Sequence, residues 1–160
     1  MASVDLLSVW HDDARALACW RAQWHLWSPR PRHGGPVYGG LWPPTPDAAW
    51  EARGALTHVE ELIDESHFHV MILACPQCTQ RFISVFTETV DWEDGDDPQY
   101  WTLLPITETE AVDLVKQRNS LTEIGLNALG PGRRCLRRDY PKVVVPRTFW
   151  GTGISVGLHD

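Results

Sequence analysis

The sequence predicts a single domain of the α+β class: an antiparallel β-meander of three or more strands with flanking helices and a Cys-Pro-x-Cys turn at a hairpin tip. Three observations predict it. Two runs rich in β-branched and aromatic residues, 67–74 and 81–90, flank a short segment of turn chemistry at 75–80, the pattern of a β-hairpin. A third such run, 100–106, follows a loop punctuated by Gly95 and Pro98, so three strands in chain order make a meander. Helical signals lie on both sides of this block. A chain of 160 residues, 43% hydrophobic and 22% charged, can bury one core without disulfide staples, and two full domains would be cramped.

The domain divides into a helical and Pro/Trp-rich part, residues 1–66, and a hairpin core with C-terminal helices, residues 67–160. In residues 4–27 the apolar positions recur at three and four spacings, from Val4 through Trp10, Leu17 and Trp20 to Trp27, which predicts an amphipathic helix stopped at Ser28-Pro29. Cys19 falls within this pattern and is expected to pack in a core. Six prolines and four glycines then occur between Ser28 and Asp47, around Tyr38, Leu41 and Trp42, and predict a long surface loop. Asp47 is placed to cap a second helix running through Trp50, Leu56 and Val59 towards Leu62, weakened by Gly54. Beyond the meander, Thr107 with Glu110 and Ser120 with Glu123 both have capping-box spacing and predict two short helices. Gly130-Pro131-Gly132 ends the second of them. Lys142 to Val145 offers a last strand before a glycine-punctuated tail.

Charge and composition exclude several classes. A net charge of −7 argues against a general nucleic-acid binder, since phosphate contacts require a positive surface. No apolar run approaches membrane-spanning length and Met1 to Trp10 has no basic cluster, so a cytoplasmic location is expected. No Gly-rich phosphate loop, nucleophile elbow or His-Glu-x-x-His helix is present, and no catalytic residue is assigned. Glu88, Asp91, Glu93, Asp94, Asp96 and Asp97 form an acidic tract whose spacing fails the EF-hand pattern and reads as a solvated loop. Arg133, Arg134, Arg137, Arg138, Lys142 and Arg147 form an opposing basic tract, for which internal pairing with the acidic loop is expected.

Four cysteines are too few for a disulfide scaffold, and two of them stand at Cys75-Pro76-Gln77-Cys78. This segment, continued by Thr79, Gln80, Arg81 and Phe82, resembles the knuckle hairpin of zinc ribbons. The resemblance covers roughly a tenth of the chain. It implies a structural zinc held by Cys75 and Cys78. The chain has no second Cys-x-x-Cys, so further ligands must come from elsewhere. His67 and His69 share a strand face, but at about 3.3 Å per residue His69 lies roughly 20 Å from Cys75, and both read as hydrogen-bonded structural residues. Among Cys135, Cys19, His11, His25, His33, His58 and His159, Cys135 is preferred for its glycine-rich approach and flanking arginines. The expected metal set is therefore Cys75, Cys78 and Cys135.

Three functional readings follow. The first is a small non-enzymatic interaction protein with a zinc knuckle and a protein partner, for which the Trp, Tyr and Pro residues between Trp24 and Trp50 offer a recognition surface. The second is a dithiol oxidoreductase. Cys-Pro-x-Cys after a strand and the later Val145-Pro146 segment resemble glutaredoxins, which implies Cys75 as nucleophile and Cys78 as resolving thiol. Against it, residues 82–90 favour a strand where that fold has a helix. The third is nucleic-acid binding through the C-terminal arginines.

Overall fold

A computed structural model describes residues 45–76, 79–157 and 159. The helix expected at 4–27, the loop to Pro44, Cys19, His11, His25, His33 and Cys78 lie outside the described residues. Among the described residues, the core is a six-stranded antiparallel sheet whose spatial order is its chain order. The strands are β1 (Thr57–Glu65), β2 (Phe68–Ala74), β3 (Arg81–Glu88), β4 (Gln99–Ile106), β5 (Arg134–Tyr140) and β6 (Arg147–Thr152). Three of these coincide closely with the predicted meander. Consecutive pairing places the β1–β2, β3–β4 and β5–β6 connections at one end of the sheet. The Cys75–Gln80 connection and the helical β4–β5 crossover lie at the other.

Side chains alternate across the strands and fill a separate core on each face. On the first face Val70, Ile72, Ile83, Val85, Leu104 and Ile106 pack beneath α2 (Glu108–Lys116) and α3 (Glu123–Asn127), through Ala111, Leu114 and Leu126, with Ile154 beside them. On the second, Leu73, Cys75, Phe82, Leu103 and Leu136 pack with Ala49 of α1 (Pro46–Ala52) and against Trp50 and Trp150. Both faces of β3 and β4 are thus buried, which explains their nearly continuous apolar runs.

The helix caps follow the sequence in part. Thr107 and Glu110 form a reciprocal capping box, with Glu110 N–H donating to Thr107 Oγ1 at 3.1 Å and Thr107 N–H to Glu110 Oε2 at 2.7 Å. The cap of α3 is Thr122 and not Ser120, whose hydroxyl instead donates to Gln117 O within the 3₁₀ turn Arg118–Ser120. Likewise α1 is capped by Thr45, with Pro46 at its first position, and not by Asp47.

Two expectations are corrected. The helix predicted through Leu62 ends at Ala52, passes into a 3₁₀ turn at Arg53–Ala55, and is followed by β1. Register shifts at His58/Glu60 and Glu61/Ile63 insert a residue twice into β1, so its side chains repeat every three residues and imitate a helical spacing. The strand expected at Lys142 to Val145 is a loop, in which Val143 has φ +66°. The pairing segment lies just beyond it, where Arg147–Thr152 forms β6. None of the helices is long and apolar enough to cross a membrane, among the described residues.

Candidate functional site

Cys75 continues β2 and is buried in the second core, its N–H donating to Gln80 O and its carbonyl accepting from Thr79 N–H, both at 2.9 Å. Thr79 has φ +60°, as a chain reversing within a few residues requires. Cys135 lies on the opposite face, in the first core. It pairs with Gly151 on β6, and its thiol donates to Gly153 O at 3.0 Å. Burial raises its pKa, an effect that outweighs the opposing influence of Arg137. A sheet therefore separates Cys75 from Cys135, and the structure does not bring these two expected ligands to one point. His67 pairs with Glu88 at 3.0 Å and His69 with Asp64 at 3.1 Å. His159 stacks on Phe68.

The basic tract is occupied within the fold. Arg133 forms a two-pronged pair with Glu110, at 2.9 and 3.0 Å, and also donates to Pro105 O. Arg137 donates to the carbonyls of Thr152 and Gly153, and Arg138 to Tyr140 and Thr148. Arg134 lies 4.2 Å over the Trp150 ring, and Arg147 pairs with Asp139 at 3.1 Å. Glu110 and Asp139 offset the charge of Arg133 and Arg147, and Asp47 lies 3.7 Å from Arg138.

The end of the sheet remote from Cys75 has a different character. The β3–β4 loop, residues 89–98, and the β5–β6 loop, residues 141–146, stand side by side there. Lys142 joins them by pairing with Asp91 and, at 2.8 Å, with Asp94, while Val143 N–H donates to Asp96 Oδ2. Asp91 also organises its own loop. Its Oδ1 accepts from the amides of Glu93 and Asp94, and its amide donates to Asp97 Oδ1. Gly95, at φ +68°, lets the loop turn back so that its amide reaches Asp91 O. The Lys142 hydrogen bond holds the Asp91 carboxyl below the usual range, and the two aspartates hold the Lys142 ammonium above its own. The tie is accordingly kept above the ordinary aspartate pKa until acid falls through the Asp91 value. At the other extreme it is kept below the ordinary lysine pKa until base rises through the Lys142 value.

This tied pair of loops presents apolar side chains to solvent. Trp92 is 87% exposed, Val143 87%, Val145 81%, and Val144 lies between them. Glu93 and Asp94 follow Trp92 in the chain and Asp96 accepts from Val143 N–H, so carboxylates border these side chains. The sequence signal was available in the Val143-Val144-Val145 run, which strand propensity assigned to the sheet, and in Trp92 within an acidic loop. No protein-family model, no curated protein and no solved structure matches the chain.

Proposed function

We propose that the chain is a small, non-enzymatic interaction domain that docks a protein partner on the loop end formed by Trp92 and Val143 to Val145. The observation that carries this reading is the exposure of Trp92 on a loop held by its own hydrogen bonds and by Lys142. A large aromatic in water contributes little to folding, whereas buried in a partner's pocket it is the commonest kind of hot spot. Because the loops are tied before binding, less conformational freedom is lost on docking. The acidic rim selects the partner's chemistry: an apolar pocket bordered by lysine or arginine. That rim repels nucleic acid and anionic lipid surfaces alike.

A photo-crosslinking amino acid in place of Trp92, in the full chain expressed in cells, tests this directly. The expected product is a defined heteroprotein adduct, and the purified partner should bind the wild type and lose about 2 kcal/mol, roughly 30-fold, with Trp92→Ser. Crosslinks absent at position 92, or a purified partner that binds the variant as tightly as the wild type, would overturn the proposal. The Cys75-to-Gln80 connection lies at the far end of the sheet. A zinc knuckle or a dithiol there would support or modify the fold without touching this surface.

A further inference from the structure

We infer that the rim of β1 and β2 carries a divalent-metal site of the zinc class, with Glu61, Asp64 and His69 as ligands and His58 behind Glu61. The two register shifts in β1 create the arrangement. His58 pairs with Leu73, Glu61 with Met71 and Asp64 with His69, so three polar residues spaced by three all project on the face that carries His69. An unbulged strand would send Glu61 and Asp64 to opposite faces.

One ligand atom from each of Glu61, Asp64 and His69 lies within 4.8 Å of the others, and His69 Nδ1 stands 3.1 Å from Asp64 Oδ1. Zinc bonds of about 2.0–2.2 Å in a tetrahedron set neighbouring ligand atoms roughly 3.3 Å apart, so small rotamer changes would close the set. Imidazole with carboxylates suits zinc and its first-row neighbours better than magnesium or calcium.

Two further observations favour a cation. Glu61 Oε1 is closed off from solvent and has no hydrogen-bond partner, while Oε2 is 3.2 Å from His58 Nε2. Among the described residues, the side chains of Glu61 and Asp64 pair only with these two histidines, although nearby Arg118 pairs with Glu60. An ion would satisfy the orphaned oxygen. His58 would then hold the ligating carboxylate in position, as outer partners of metal ligands do.

The test is titration of the full chain with zinc alone and with cobalt as a spectroscopic stand-in, using the Cys75→Ser/Cys78→Ser variant to separate this site from the cysteine turn. Uptake of about one equivalent by that variant is expected. Its cobalt adduct should lack thiolate charge-transfer absorption. Asp64→Asn and His69→Gln should each weaken binding by more than about 10-fold, and His58→Ala by about 10-fold. Asp64 is 73% exposed, so Asp64→Asn leaves the core intact even if His69→Gln perturbs the sheet. No uptake by the cysteine variant, or uptake indifferent to Asp64→Asn and His69→Gln, would overturn the assignment.

Discussion

Arg133 shows how one side chain can tie a helix to the sheet. It lies between the carboxylate of Glu110 on α2 and the carbonyl of Pro105 at the end of β4. Burial pushes the Glu110 carboxyl up, but hydrogen bonds from Arg133 and Thr107 more than offset it and leave the pKa lowered. A lowered carboxylate contributes stability above its unfolded pKa and loses it as pH falls through the folded value. Arg133→Gln should therefore cost about 1.5–3 kcal/mol at neutral pH in a denaturant melt. It should also flatten the acid loss of stability below about pH 4.3. The cysteines raise a different question at this scale. If Cys75 and Cys78 share a zinc, Cys75→Ser and Cys78→Ser should lower the melting temperature by similar amounts, and chelator should destabilise only the wild type. Mutants that melt like the wild type, with no effect of chelator, exclude the knuckle. The short connection between β2 and β3 was readable from the β-branched and aromatic runs on either side of it. The separation of Cys75 from Cys135 was not readable, because which face a residue occupies depends on strand register across the whole sheet.

At the scale of elements, local chemistry was readable where one short motif decides the outcome. Thr107 and Glu110 announce α2, and Thr107→Ala should cost about 1 kcal/mol by removing the side-chain acceptor for Glu110 N–H. Gly153 follows β6 at φ +63°, and a Cβ there would approach Pro131 O to 3.0 Å. Gly153→Ala should destabilise the melt by at least about 1 kcal/mol, more than Gly132→Ala, where nothing lies within 4 Å. β1 was misread because its bulges replace the twofold period of a strand with a threefold one. β6 was missed because Arg147-Thr148-Phe149-Trp150-Gly151-Thr152 has its apolar residues adjacent and a glycine inside the strand. That glycine has a reason in the packing: a Cβ at Gly151 would come within 2.7 Å of Arg137 Nε.

For the whole molecule, two cores share one sheet, and neighbouring residues of β4 serve different ones: Leu104 the first and Leu103 the second. Leu103→Ala and Leu104→Ala should each cost about 2–5 kcal/mol, since both side chains are almost fully buried. Because the same backbone carries both, calorimetry should show one transition for either variant. A second transition in Leu103→Ala would mean that α1 and its core melt independently of the rest.

The order of the strands also has a temporal meaning. Each new strand has its partner immediately upstream, so during synthesis it emerges beside a neighbour that has already left the ribosome. What arrives late is the cover. The first face of β1 to β4 remains wet until α2, α3 and finally Ile154 have been made. A nascent chain halted after Ile106 thus exposes a broad apolar face, which is sealed only once α2, α3 and Ile154 have been translated.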